Sequence, residues 1–250
     1  MNENSKTMKY QHAFFPETAF GGFTDIDGTI HFYLRVNALL QNAFTVLDIG
    51  CGRGAYQDDP CRIRREMRIF KDKCRRVIGI DTDKSGAGNP FIDEFRLITC
   101  DGWPLQDASV DLMICDQVLE HVRQPETFFS ECGRVLKVGG YLCFRTANSL
   151  GYVALIAKML PNRFHSKVSA RAQFGRKNED VFPTYYRCNT IRKIRSYMKN
   201  IGFDGYVYTY EAEPSYLEFS KFAYWLGTLH QKYAPKALKL SIFGFTRKID

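Results

Sequence analysis

Short apolar runs, separated by stretches with helical spacing, recur along this chain. Phe44–Ile49, Arg76–Asp81, Phe95–Cys100, Val110–Cys115 and Tyr141–Thr146 are each brief, continuous and apolar enough for buried strands. Between them, Pro60–Cys74 reads as a very basic helix with Pro60 in its first turn, and Pro125–Leu136 as another. A helix over Phe32–Asn42 precedes the first strand, and Lys137–Gly140 is a turn into the fifth. Buried strands alternating with helices predict a parallel sheet covered on both faces. Beyond Asn148 a helix runs to about Leu160, where Pro161 stops it. Thr190–Asn200 reads as a helix capped by Asn189 or Thr190 and closed at Gly202. Tyr206–Tyr210 and Leu240–Lys248 complete the strands, and Phe219, Phe222, Leu226, Leu229 and Tyr233 mark one face of a helix between them.

Two stretches carry no period. Residues 1–30 are rich in glycine and aromatic residues, and 161–188 are polar, basic and aromatic. A long aperiodic segment inside a compact domain is usually functional or mobile. The expected organisation is an arm and helix over 1–43 that cover the site, followed by one domain over 44–250. That domain carries a basic insertion at 161–188 and a helical one at about 214–236.

Charge sharpens this picture. The net charge is +8, but residues 1–150 hold 18 Lys/Arg against 20 Asp/Glu, whereas 151–250 hold 17 against 7. Eleven of those basic residues, against two acidic ones, fall within 151–200. Such asymmetry fits an anionic partner and equally a solvated basic face. The helix marked by Phe219 and Tyr233, with Lys221 and Lys232 beside them, could pack on the sheet, join a second copy in a homodimer or rest peripherally on an anionic membrane. No apolar run reaches the roughly 20 residues of a membrane span, and the polar start lacks a signal core. The eight cysteines form no C-x-x-C pair, and the expectation is eight reduced thiols in a cytoplasmic protein with no metal site.

The informative segment is Val46-Leu-Asp-Ile-Gly-Cys-Gly-Arg-Gly54. A glycine turn directly after a strand lets backbone approach a ligand at the strand's carboxyl end. Gly50-x-Gly52-x-x-Ala55 also satisfies a dinucleotide fingerprint, which leaves an NAD-dependent oxidoreductase as an alternative. Asp48 decides between them: a carboxylate there repels a pyrophosphate but suits a ligand bearing an ammonium and a sulfonium.

Four segments in register carry a family resemblance: VLDIGCGRG, VIGIDTD, CDGWPLQDASVDLMICDQVLEHV and RVLKVGGYLCFRTAN. Over roughly residues 44–147 the chain resembles class I S-adenosylmethionine-dependent methyltransferases of the ubiquinone-biosynthesis-like branch. The resemblance implies a Rossmann-like α/β fold with a seven-stranded, mostly parallel sheet, and S-adenosylmethionine as cofactor, with S-adenosylhomocysteine as product. It implies cofactor contacts at Asp48, Gly50, Cys51, Gly52 and Gly54, at Asp81 and Thr82 for the ribose, at Asp101, Gly102 and Trp103 for the adenine, and at Asp116 and Gln117. Chemistry agrees, since vicinal hydroxyls want a bidentate carboxylate acceptor. Trp103 could equally be core. Asp81 lies 27 residues beyond Gly54, several more than the usual ~20, and the insert Ala55–Pro60 absorbs the difference.

For the acceptor the sequence excludes more than it names. Asp116-Gln-Val-Leu119 replaces the Asn/Asp-Pro-Pro-Tyr of amine-directed nucleic-acid methylases, and no Pro-Cys pair follows the fourth strand. A nucleic-acid substrate or a nucleic-acid-binding protein on this scaffold is therefore disfavoured. His121 and His165 are the candidate bases; a helix-start packing role and a surface-loop role are their plain alternatives. Tyr33, Arg145, Arg163, Tyr185, Tyr186 and Arg187 are the candidate acceptor-binding residues. GGFTDIDGTIHFYLRVNALL and FPTYYRCNT are also similar to methyltransferases encoded with bacterial surface-polysaccharide genes. That implies a small-molecule or glycan acceptor, anionic in keeping with the basic region, and O-methylation of a sugar.

Overall fold

The computed structural model describes residues 9–100, 102–159 and 183–250. Seven strands form one sheet: β1 (Thr45–Ile49), β2 (Arg76–Asp81), β3 (Glu94–Leu97), β4 (Val110–Asp116), β5 (Leu136–Ala147), β6 (Phe203–Tyr210) and β7 (Ser241–Lys248). The helices are α1 (Lys9–Phe14), α2 (Gly28–Leu39), α3 (Arg62–Arg68), α4 (Pro125–Val135), α5 (Tyr152–Met159), α6 (Ile191–Asn200) and α7 (Lys221–Tyr233). Strand order is β3-β2-β1-β4-β5-β7-β6, and the pairs β2–β3, β1–β2, β1–β4 and β4–β5 are all parallel. The expected α/β architecture is thus the observed one. The chain winds outward from β1 to β3 and then returns to β4, so the order reverses between β1 and β4. In open sheets of this kind, ligands bind at such a reversal, beyond the carboxyl ends of the strands.

The chain divides into two compact units. One comprises Thr29–Ala147, Thr184–Tyr208 and Ile242–Asp250 and contains nearly all of the sheet; the other comprises Met1–Gly28, Asn148–Pro183 and Thr209–Ser241. The boundary therefore differs from the expected one at residue 43, because α2 belongs with the sheet. Alternation along β5 shows how that sheet is covered. Leu142 and Phe144 join a core with Phe129, Cys132 and Val135 of α4 and Ile194 and Met198 of α6. Arg145, pointing to the opposite face, has its guanidinium 5.6 Å from the ring of Phe32 on α2. Phe32 also meets the rings of Phe243 and Phe245 on β7, at 5.7 and 5.6 Å. Helices therefore cover both faces.

Several element boundaries moved. α3 is seven residues rather than fifteen. Arg62 and Arg65, and Arg64 and Arg68, are like charges at helical-neighbour spacing, and Asp72 takes a left-handed φ of 65° that no helix continues through. The turn expected at 137–140 is a bulge inside β5: Val110 pairs with Leu136, but Leu112 pairs with Tyr141. β3, at the sheet edge, ends at Leu97 rather than Cys100. The α6 cap is Thr190, whose hydroxyl accepts the Lys193 N–H, and Gly202 closes that helix at φ 70°.

The second unit has its own ties. Glu218 Oε1 accepts the Tyr10 N–H at 2.7 Å, the Tyr210 hydroxyl donates to Ile26 O at 3.0 Å, and Phe14 lies 5.3 Å from Tyr224. Within α7 the buried residues are Tyr224, Gly227 and Thr228. Phe222, Leu226 and Tyr233, members of the apolar stripe read from the sequence, are 67%, 46% and 78% exposed, so these three are not the buried face. Gly227 explains the choice of face: a Cβ there would come within 2.5 Å of Pro214 Cβ, so only glycine admits the close approach. Among the described residues all eight cysteines are free thiols, and no helix is long and apolar enough to cross a membrane.

Candidate active site at the carboxyl ends of the strands

Directly after β1, Gly50, Gly52 and Gly54 take φ values of 69°, 49° and 71°, a left-handed sequence that side chains resist. Gly50 and Gly54 serve packing, since Cβ atoms there would meet Val118 Cγ2 at 2.5 Å and Asn89 Oδ1 at 2.7 Å. A Cβ on Gly52 would meet nothing within 4 Å. The turn thus holds an open backbone cradle at its middle. Asn89 clamps it from behind, its amide donating to Cys51 O at 2.9 Å, and the Cys51 Sγ packs against Gly79.

Asp81, at the end of β2, is 9% exposed. Its Oδ2 accepts the Gly52 N–H at 3.0 Å and its Oδ1 accepts the Asp83 N–H at 2.9 Å. Each oxygen keeps a lone pair for a further donor, which is what a pair of ribose hydroxyls requires. Thr82 follows at the exposed end of the strand. Asp48, on β1 between Gly79 and Ile114, is half-buried. Burial, then repulsion from Asp116 and Asp81, push its carboxyl up to about 7.

Across the reversal point the chain builds a buried ionic network. Asp116, the last residue of β4, receives Arg145 Nε and Nη2 at 2.6 and 2.7 Å and the Tyr33 hydroxyl at 2.9 Å. Burial opposes its ionisation, but Arg145, then Arg68 and Tyr33, outweigh that and hold its carboxyl below the usual range. Arg145 Nη1 donates to Thr29 Oγ1 at 2.9 Å. The structure therefore unites Tyr33, Arg145 and Asp116, with the Asp116 carboxylate committed to its two partners. Gln117 follows with φ 57° and donates its N–H to Arg145 O at 2.7 Å. A non-glycine residue in that region costs about 1–3 kcal/mol, and such strain concentrates at ligand sites.

His121 ends a short turn, Leu119–His121, beyond β4. Its neighbour Glu120 is 6% exposed. Glu120 Oε2 accepts the Thr146 hydroxyl at 2.8 Å, and Thr146 Oγ1 accepts the Asn189 amide at 2.6 Å. The Tyr185 and Tyr186 N–H groups both donate to Glu120 O, at 2.8 and 3.2 Å. So the two tyrosines are brought beside His121 through their backbone, whereas Arg187 stays exposed. Gly102, at φ 103°, bridges to Thr99. Trp103 is drawn into the core: its N–H donates to Glu131 Oε2 at 3.0 Å and its indole meets Phe128 edge-on at 5.4 Å. Asp101, Arg163, His165 and the 161–182 part of the basic insertion lie outside the described residues.

Sequence reasoning missed Glu120, Thr29 and Arg68. Glu120 had been visible only as a polar letter within an apolar run. Arg68 was one of many arginines in a basic helix, and nothing in the spacing separates the inward one.

Residues 47–144 match the family described as a methyltransferase domain. By that match this segment is similar to S-adenosylmethionine-dependent methyltransferases. A probable S-adenosylmethionine-dependent methyltransferase of Mycolicibacterium smegmatis is 36% identical over 112 residues, 43% of this chain and 39% of that protein. A ubiquinone biosynthesis O-methyltransferase of Rhizobium johnstonii is 29% identical over 112 residues, 45% of this chain and 44% of that protein. The chain thus spans about two fifths of the length of these curated relatives. A solved Thermotoga maritima structure, described as a methyltransferase and possible histamine N-methyltransferase, has a TM-score of 0.55 at 14% identity. It covers 98% of both chains and shares the methyltransferase-domain fold.

Proposed function

We propose that this chain transfers a methyl group from S-adenosylmethionine to a small-molecule or glycan acceptor, by O-methylation of a sugar. One observation carries the cofactor reading: the open cradle at Gly52 whose N–H is held by Asp81, itself left with free lone pairs. A dinucleotide is disfavoured by Asp48, whose carboxylate stands against a pyrophosphate. When bound, S-adenosylmethionine supplies a methyl carbon activated by its sulfonium. In this reading Asp81 holds the ribose and Asp48 receives the ammonium. His121 takes the proton that the acceptor hydroxyl loses as its oxygen bonds to that carbon.

Support for the sugar comes from position. The two segments similar to polysaccharide-cluster enzymes border this site, Tyr33 through Asp116 and Tyr185–Tyr186 through Glu120.

Calorimetric titration with S-adenosylhomocysteine tests the cofactor reading. Micromolar binding to the parent and at least tenfold weaker binding to Asp81→Ala, about 1.4 kcal/mol or more, is expected; preference for NAD would overturn it. Once an acceptor is in hand from a screen of sugars and nucleotide-sugars, His121→Ala should keep S-adenosylhomocysteine affinity while losing roughly 10²–10⁴ in kcat. Unchanged turnover would remove His121 from the role.

A further inference from the structure

Arg68 ends α3 in an environment unlike that of its helix neighbours. Arg64 is bound by Asp59, with Nη2 to Oδ1 at 2.8 Å, and Arg62 reaches Glu66. Arg68 makes no ion pair among the described residues. Its guanidinium carbon lies 5.6 Å from the ring centres of both Tyr33 and Tyr56. Its one polar contact, Nη2 to Thr29 Oγ1, is long at 3.5 Å. Its Nε is shut off from solvent with no acceptor. A planar guanidinium has five donors along its edge; here two rings lie over it and the edge is almost unused.

The location gives that cation a use. Tyr56 stands just past the glycine turn, and Tyr33 holds Asp116 at the end of β4. The Arg145 charge, by contrast, is spent on Asp116. Arg68 lends its field to Asp116 and Asp48, but among the described residues it forms no ion pair and its hydrogen-bonding edge stays almost unused. A buried unsatisfied N–H costs about 1–3 kcal/mol, and such groups are rare enough in native proteins that each calls for an explanation. Arginine's fork is matched to two oxygens of one carboxylate or phosphate.

We propose that Arg68 is the anion receptor of this site and receives a carboxylate or phosphate group of a bound ligand. The proposal rests on the methyltransferase reading for the identity of the ligand but not for the anion chemistry. Two sources share that chemistry: the carboxylate of the cofactor's amino-acid end, and an anionic acceptor such as a uronic acid or sugar phosphate.

The test is calorimetry on the full chain, comparing the parent with Arg68→Gln and Arg68→Lys. S-adenosylhomocysteine, 5′-methylthioadenosine (which lacks the amino-acid end) and inorganic phosphate are the probes. At least tenfold weaker S-adenosylhomocysteine binding in Arg68→Gln, with methylthioadenosine unchanged, supports the proposal and assigns the cofactor carboxylate. Unchanged S-adenosylhomocysteine binding, with phosphate binding to the loaded protein lost, supports it and assigns the acceptor. Phosphate binding that depends on Arg68 in a parent that ignores S-adenosylhomocysteine keeps the proposal and sinks the methyltransferase reading. Parental affinity for every probe in both variants, or no phosphate or S-adenosylhomocysteine binding by the parent, overturns it. Should Arg68→Gln fail to fold, Arg68→Lys decides, since it keeps the charge and loses the fork.

Discussion

On the proposed reading Asp48 receives an ammonium, for which it must be ionised, yet burial and two neighbouring acids raise its carboxyl to about 7. The unliganded protein therefore holds a proton there until near neutrality, and a cation must displace it. S-adenosylhomocysteine affinity should rise between pH 6 and pH 8, and Asp48→Asn should bind more weakly with a flatter profile. Stability should move the opposite way. The folded carboxyl lies above its ordinary 3.8, so its contribution is full below about 3.8 and is lost as pH rises through about 7. Asp48→Asn should then raise the melting temperature of the unliganded protein, more at pH 8 than at pH 5. An equal shift at both values would deny Asp48 this titration.

Among the elements, β7 shows how far packing can depend on an atom's absence. A Cβ on Gly244 would lie 2.0 Å from Phe144 Cζ, so the ring of β5 occupies the space that a side chain would need. Gly244→Ala should cost about 1–3 kcal/mol in denaturant unfolding through overpacking, with Phe144→Leu in the same chain recovering part of it. No periodicity announces such a position. The sequence did announce β1, β2 and β4, because Val46–Ile49, Val77–Ile80 and Leu112–Cys115 are buried on both faces and leave little room for another reading. It singled out Asp48, Gly50–Gly54 and Asp81 as candidates because strand-end glycines and acids carry local geometry with them. On α7 it left the use of the apolar stripe of Phe222, Leu226 and Tyr233 open; that stripe is exposed, and the buried face is the one bearing Gly227. It failed on α3 because charge repulsion along a helix is a pairwise matter that composition conceals. Arg145 and Asp116 were both singled out, but their union depends on parallel β4–β5 register, Asp116 opposite Arg145, which only the fold supplies.

At the scale of the whole molecule, each unit holds, among the described residues, an acid raised to about 7. Glu211, 4% exposed in the second unit, is pushed there mainly by burial, against the pull of the Leu240 N–H it accepts at 2.6 Å. Both carboxyls stay protonated in the folded chain at pH 6 and lose that proton above neutrality, whereas the unfolded chain has already lost it. Calorimetric scans of the unliganded protein should therefore show stability falling from about pH 5 to just above pH 7 and levelling beyond it. Glu211→Gln and Asp48→Asn should each remove part of the slope. A flat profile in the parent would refute this account.

The second unit is threaded rather than appended: the chain changes unit at 28/29, 147/148, 183/184, 208/209 and 241/242. Three separated stretches must converge before that unit exists, so its closure entropy is met only after the sheet has drawn their ends together. Refolding should accordingly be sequential, with amide protection appearing in β1, β2 and β4 before α7. For the same reason, recombination with a relative cannot exchange this unit as a cassette. A single crossover at any boundary from 28/29 to 208/209 would divide its three stretches of chain between two parents, two speaking one language and one the other.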